Sequence, residues 1–250
     1  MLLLSNDDGV RAEGLNALAE ALASLDTLLI VAPETEQSAK SHGLTMHDPL
    51  RLRSPRPGWF SVSGTPADSV YFALNHLCES PPRAVISGIN RGGNIGNDVH
   101  YSGTVAAARE AALSGLPALA VSLVTEGGGH HKHWETAGAL AAQVLQKMLA
   151  AKLPAGIVLN LNVPNLPLSE IAGLVAAPMG DRAYQAMVRK EEDPRGRSYF
   201  WIGGPPIQPT EESHTDCSLA ARGYATVTPL RTDVTAYTLM EQVGGLLEQG

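Results

Sequence analysis

Cysteine is nearly absent from this chain of 250 residues. Cys78 and Cys217 lie far apart in sequence and give no disulfide framework, which suits a reducing compartment. An apolar run opens at Leu2 with no basic leader before it, so a cytoplasmic protein is expected. Cys78 falls within a helical apolar pattern and is expected in the core. No apolar run approaches the roughly 20 residues of a membrane span, so no membrane partner is expected. Aromatic residues make up 5%, which leaves packing to Ala, Leu, Val and Gly; the hydrophobic fraction of 44% is ample for that. Basic charge is also scarce, 18 Lys and Arg against 25 Asp and Glu, for a net charge of −7. That excludes a general nucleic-acid coating role, and a phosphorylated ligand would need local help from a metal or from helix N-termini. The glycine-rich dinucleotide fingerprint is missing after the first apolar run, which argues against NAD or FAD there.

What is present begins at the N-terminus. The apolar run Leu2-Leu3-Leu4 has strand length and stops at Ser5-Asn6-Asp7-Asp8-Gly9. This reads as a buried strand whose carboxyl end carries two adjacent carboxylates, the edge at which open α/β sheets bind ligands. Adjacent carboxylates repel, and burying them is costly unless a cation neutralises them. Hard divalent cations such as Mg²⁺ or Mn²⁺ take such oxygen ligands. The competing reading is a solvated turn with an Asp capping the next helix.

Helical spacing of Leu15, Leu18, Ala19 and Leu22 predicts an amphipathic helix over about 12–24. Thr27–Ala32 is the next buried strand, ended by Pro33, and together these make a βαβ unit. The polar stretch 34–47 is long for a loop and reads either as functional or as a mobile surface loop. Its Ser38, Lys40, Ser41 and His42 reach the acidic turn if the first two strands are neighbours. Short edge strands are expected between Leu50 and Val62. Thr65-Pro66-Ala67-Asp68 starts a helix to about Leu77, with Thr65 as N-cap.

The strand Arg83–Ser87 runs into Gly88-Ile89-Asn90-Arg91-Gly92-Gly93-Asn94-Ile95-Gly96-Asn97-Asp98. The glycines let backbone N–H groups approach an anion, and the asparagine amides supply neutral donors and acceptors. The Walker ending is missing, and a tight structural turn is the rival. Tyr101-Ser102-Gly103-Thr104 then opens a helix of small residues, either a phosphate cradle or simple N-capping.

A strand over 117–123 precedes His130, His131 and His133, which raise the question of zinc. Nearby cysteines and a His-Glu-x-x-His helix are missing, so a flexible loop and helix start competes with it. A helix over about 132–151 and a strand over 157–163 follow. Residues about 178–210, around the Asp193-Pro194-Arg195-Gly196-Arg197 turn, read as a β-hairpin projecting from the sheet. Its aromatics point to a subunit interface. A short helical piece at Thr215-Asp216, a strand over 223–228 and a helix over about 236–248 close the chain.

The repeated order of strand then helix predicts an α/β fold, a Rossmann-like three-layer arrangement around an open, mostly parallel sheet. It is read as one domain over 1–250. About 1–177 forms the core sheet, and about 178–250 the projecting hairpin and C-terminal oligomerisation region. Three loops at one sheet edge would gather Asp7, Asp8, Ser38 and Asn90, an incomplete oxygen shell that water and a substrate phosphate can complete. Ser102, Gly103 and Thr104 would hold the remaining phosphate oxygens.

In combination these stretches resemble the SurE family, the stationary-phase survival group of metal-dependent 5'-nucleotidases. The carrying motifs are Ser5–Val10, Ala32-Pro33 with Gln37-Ser38, Gly64–Asp68, Ser87–Asn90 with Asn94, and Tyr101–Ala107. Asp193–Gly196, and Gly223-Tyr224 with Thr228-Pro229-Leu230, extend the match almost to the end. The resemblance implies hydrolysis of nucleoside 5'-monophosphates, and sometimes of 3'-nucleotides and short polyphosphate. It implies one Mn²⁺ or Mg²⁺ per subunit, held at Asp7, Asp8, Ser38 and Asn90. It also implies a homo-oligomer, dimer or tetramer, with the C-terminal region exchanged between subunits. The chain departs from the family pattern at Leu2, at Ala39 after Ser38, and at His214 before Thr215-Asp216; none of these removes a presumed ligand. The mechanism expected is in-line attack by water activated by the metal or by Asp7 or Asp8, with Asn94 and Ser102–Thr104 steadying the phosphoryl oxygens. A covalent aspartyl-phosphate is the alternative chemistry.

Overall fold

The computed structural model describes residues 1–125, 131–151, 153–182, 184–185, 187–204 and 214–247. Among the described residues the central sheet has nine strands. In chain order they are β1 (Leu2–Ser5), β2 (Leu28–Pro33), β3 (Leu52–Arg56), β4 (Trp59–Val62) and β5 (Ala84–Arg91), then β6 (Ala118–Val124), β7 (Ile157–Pro164), β8 (Gly173–Ala176) and, further on, β11 (Tyr224–Arg231). Between β8 and β11 lies a separate ribbon of β9 (Met187–Glu192) and β10 (Ser198–Gly203). The helices are α1 (Glu13–Leu22), α2 (Pro66–Phe72), α3 (Gly103–Leu113), α4 (Trp134–Ala151), α5 (Asp216–Ala221) and α6 (Met240–Leu247).

The spatial order is β3-β4-β2-β1-β5-β6-β7-β11-β8. The central run from β4 to β7 is parallel, and β3 and β11 run antiparallel to their neighbours β4 and β7. The chain leaves β1 toward β2 and then returns to β1's other side as β5. That reversal is a topological switch point, where loops diverge and leave a crevice at the carboxyl edge. The acidic turn after β1 opens into it.

Each face of the sheet carries its own helices. Leu2 and Leu4 of β1 pack with Leu15, Leu18 and Leu22 of α1 and with Ala141 and Val144 of α4. Leu3, between them, points the other way, to Val70 of α2 and Val105 and Ala108 of α3. Strands buried on both faces read as continuous apolar runs because both alternating sets need apolar side chains. Gly138 lets α4 settle on α1; a Cβ there would stand 2.8 Å from the Cβ of Ala21.

The helix starting at Thr65 has the expected cap. Thr65 Oγ1 accepts from the Asp68 N–H, and Asp68 Oδ2 accepts from the Thr65 N–H. The regular α-helix stops at Phe72, and Ala73–Leu77 continues as a wider π turn. Cys78 follows that turn and is half-buried, which corrects its expected place in the core. The extra residue of the wider turn ends the apolar helical face before it reaches Cys78.

The hairpin expected over 178–210 is the antiparallel β9–β10 ribbon, closed by a turn in which Asp193 Oδ1 accepts from the N–H groups of Arg195 and Arg197. Among the described residues the ribbon forms a two-stranded sheet of its own, separate from the central sheet. Its Phe200, Trp201 and Ile202 are exposed, Ile202 to 90%. The closing α6 is preceded by a 3-10 turn over Tyr237–Leu239. No helix among the described residues is long and apolar enough to cross a membrane.

Candidate active site

The turn after β1 is built by Asn6. Its Nδ2 donates to the Gly9 carbonyl at 3.0 Å, and its Oδ1 accepts from the Gly9 N–H at 3.2 Å. Gly9 has φ of 99°, a conformation that L side chains rarely adopt. Two backbone bonds then tie the turn to the chain leaving β2: Val10 N–H donates to the Pro33 carbonyl and Gln37 N–H to the Asp7 carbonyl, each at 2.8 Å. Asn6 itself is fully buried and was not among the expected site residues. An Asn three residues before a Gly is the local signal that would have found it.

Asp7 is buried, and its carboxylate accepts the hydroxyl hydrogen of Thr104. Gly103 allows the approach, because a Cβ there would lie 2.8 Å from Asp7 Cβ and 2.9 Å from Pro66 Cγ. Asp8 is half-buried, and its Oδ2 accepts from the Arg91 N–H at 3.2 Å, at the end of β5. Burial pushes the Asp7 carboxyl up to about 6; the Thr104 bond opposes this and the neighbouring Asp8 charge adds to it. Burial also raises Asp8, opposed by the Arg91 N–H and reinforced by Glu36. Two carboxylates are therefore held together in a place that resists their ionisation.

A cavity of about 570 Å³ opens over this pair, and Asp7, Asp8, Ser38, Asn90, Asn94 and Ser102 all line it. The loops after β1, β2 and β5 and the start of α3 thus meet at the switch point. The sequence-derived set divides into two kinds of residue there. Ser38 donates to Glu36 Oε1 at 2.9 Å, and Asn90 Nδ2 to the Gly92 carbonyl at 2.8 Å, so both are oriented by short loop bonds. Asn94 is gripped from three sides: its N–H donates to Asn162 Oδ1, its Nδ2 to Ser122 Oγ, and its carbonyl accepts from Asn160 Nδ2. Ser102 caps α3 by accepting from the Val105 N–H at 3.0 Å. Thr104 is fully buried with its hydroxyl committed to Asp7. Its place is behind the carboxylate, whereas the sequence had suggested the phosphate side.

The wall also carries Glu13, Glu36 and Asp98, with Arg91 the one cation among the described lining residues. So acidic a wall repels a phosphate dianion unless a cation intervenes. The donors are all oxygen-bearing, two carboxylates with a hydroxyl and an amide, and fit a hard divalent ion. Buried Asp7 and its half-buried, mutually repelling neighbour Asp8 supply the electrostatic reason for one.

Two of the three expected histidines, His131 and His133, lie elsewhere on this edge. His131 and His133 stand together with Glu135 before and in the first turn of α4, while His130 lies outside the described residues. Trp134, between His133 and Glu135 in sequence, lines the cavity.

Fold and site together define a Rossmann-like α/β protein with an acidic, oxygen-rich crevice facing a helix N-terminus. Within that class, residues 2–186 match the family described as Survival protein SurE. The protein called 5'-nucleotidase SurE from Geobacter metallireducens is 46% identical over 236 residues, covering 94% of this chain and 93% of that protein. Its namesake from Legionella pneumophila strain Lens is 44% identical over 248 residues, covering 99% and 97%. The crystal structure of the SurE protein from Aquifex aeolicus superposes with a TM-score of 0.86 at 38% identity, covering 98% of both chains. This chain belongs to the SurE family.

Proposed function

We propose that the chain is a 5'-nucleotidase, a phosphomonoesterase that hydrolyses nucleoside 5'-monophosphates to nucleoside and phosphate. The observation that carries this reading is the adjacent pair of buried Asp7 and half-buried Asp8 beside the N-terminus of α3 at one cavity, in a chain whose relatives bear that name. 3'-Nucleotides and short polyphosphate present the same terminal phosphoryl group and are secondary substrates of the reading.

One Mn²⁺ or Mg²⁺ per subunit, held by Asp7, Asp8, Ser38 and Asn90, would neutralise the carboxylates and polarise the phosphoryl group. The chain's own residues do the rest. Gly103 opens α3, where the first N–H groups lack intrahelical acceptors and attract an anion. Ser102 and Asn94 line the same wall and orient the phosphoryl oxygens. Asp8, less buried than Asp7 and raised in pKa, accepts the proton of the attacking water. Water adds to phosphorus, the ester P–O bond breaks, the nucleoside leaves as its alcohol after taking a proton from solvent, and Asp8 gives the proton it accepted back to solvent. Asp7, fixed by Thr104, keeps the negative charge at its base in place.

The C-terminal region, about 178–250, is the oligomerisation region of this reading. A two-stranded ribbon is marginal in water alone, and the exposed Phe200, Trp201 and Ile202 are suited to burial against a second copy in a dimer or tetramer. Cys78 and Cys217 are both free, which suits the reducing cytoplasm.

Phosphate release from a panel of 5'- and 3'-monophosphates and short polyphosphate tests the proposal, on chelator-stripped protein with Mn²⁺, Mg²⁺ or Zn²⁺ restored. Release from 5'-monophosphates with Mn²⁺ or Mg²⁺ is expected. A folded protein that releases none under any metal would overturn the nucleotidase reading.

A further inference from the structure

We propose that His131, His133 and Glu135 form a second cation site, for a borderline transition metal such as Zn²⁺, at the start of α4. Two imidazoles and a carboxylate make up a three-protein-ligand zinc set with an open fourth position, unlike the all-oxygen set around Asp7. One ligand atom from each residue lies within 4.8 Å of the other two. His133 Nδ1 and Glu135 Oε1 are 2.9 Å apart, and the rings of His131 and His133 meet edge to face with centroids 4.5 Å apart. Neighbouring ligands of one tetrahedral ion at zinc distances stand about 3.3 Å apart. Small side-chain rotations therefore close the cluster on an ion.

The backbone that presents the ligands is already fixed. Asn165, just beyond β7, accepts the His133 N–H on its Oδ1 at 2.9 Å and donates from its Nδ2 to the His131 carbonyl at 3.0 Å. One side chain thus clamps both histidine positions to the end of a core strand, and the helical turn of α4 adds Glu135. Such fixed support behind a ligand set is the part of a metal site that chance rarely supplies. An ion here takes the place of the hydrogen shared between His133 and Glu135 and binds the imidazoles in their neutral form. The site sits beside the nucleotidase cavity. Trp134 lies between two of the ligands in sequence, lines that cavity, and donates from Nε1 to Glu13 at 3.4 Å. An ion at this site would fix the same stretch of wall.

The test uses the chelator-stripped full chain carrying Asp8→Asn, which disables the oxygen site. Co²⁺ and Zn²⁺ are titrated by absorption and by calorimetry. One equivalent of Co²⁺ is expected to give the ligand-field bands of a tetrahedral nitrogen-and-oxygen site, displaced by Zn²⁺. His131→Ala, His133→Ala and Glu135→Gln should each weaken binding at least tenfold while circular dichroism and melting stay unchanged. Asn165→Ala, which keeps every ligand, should weaken it about tenfold, as loss of a ligand's supporting partner typically does. Unchanged binding in His133→Ala, or no tetrahedral spectrum from the folded protein, would overturn the proposal. None of these outcomes bears on phosphate release, so the two readings stand or fall separately.

Discussion

Thr104, in the first turn of α3, gives its hydroxyl hydrogen to the carboxylate of Asp7, 97 residues earlier in the chain. One bond thereby locks the first turn of α3 to the carboxylate at the end of β1, and favours that carboxylate's charged form.

Thr104→Val keeps the buried volume but deletes this bond. The Asp7 pKa should rise further, because the lost bond was lowering it. A hydrogen bond to a charged group is worth about 1.5–3 kcal/mol, so nucleotidase activity should fall roughly tenfold or more. The acid limb of the pH–rate profile should also move to higher pH. Equal activity with an unmoved profile would show that Thr104 does not support Asp7.

Asp8→Asn should retain the fold, since Asp8 is half-buried and its one described partner is the Arg91 N–H. The amide oxygen can still accept that bond. The variant cannot take a proton from water, and phosphate release should drop by about 10²–10⁴, the usual worth of a general base. A variant with near wild-type turnover would remove Asp8 from the chemistry.

In chelator-treated protein, stability should depend on Asp7. Its carboxyl is raised from 3.8 to about 6, so the folded state holds the proton more tightly than the unfolded chain does. That contribution is complete below pH 3.8 and is lost as pH rises through about 6. Its size is about 3 kcal/mol by the usual conversion. Asp26, lowered to about 2 by the N-terminal ammonium and Arg83, acts in the opposite sense at lower pH. Melting of the stripped wild type should therefore be compared with stripped Asp7→Asn between pH 4 and 7. The wild type should lose ground to the variant as pH rises, and Mn²⁺ should restore it. Parallel melting curves would contradict the raised Asp7 pKa.

Trp201→Asp with Ile202→Asp places one charge on each of the two exposed faces of β10. Sedimentation should show a smaller assembly than wild type while the central sheet's circular dichroism persists. An unchanged sedimentation coefficient would separate the ribbon from self-association.

That Asp7, Asp8, Ser38, Asn90, Asn94 and Ser102 would meet around one cavity could be read in the sequence because the signals are local. The apolar run before Asp7 and Asp8, the glycines around Asn90, and Ser102 before a run of alanines each occupy a few adjacent residues. Parallel order at the centre followed from alternating strands and helices, and it placed those loops on one edge. What could not be read depends on residues far apart in sequence. Asn162 and Asn160 lie inside an apolar strand, and nothing near them announces that they hold Asn94, 68 and 66 residues away. Thr104 looked like a phosphate ligand because helix N-termini bind anions; only the packing of α3 against β1 turned its hydroxyl to Asp7. Cys78 was misplaced because a single π turn broke the helical period that the apolar pattern suggested.

Asp216, buried at the start of α5, accepts on one carboxylate oxygen from the Gly96 N–H at 2.9 Å and on the other from the Gly180 N–H at 2.7 Å. The loop that carries Asn94 is therefore anchored by a residue 120 positions downstream. A ribosome makes the chain N-terminus first, at about 5–20 residues per second. Asp7, Asp8 and the α3 cradle emerge early, but the loop beside them lacks this anchor until residue 216 follows. The last of this loop's anchors is thus made late in the synthesis of the chain. A product ending before α5 would keep the grip of Ser122, Asn160 and Asn162 on Asn94 but lack the Asp216 anchor two residues further on, at Gly96.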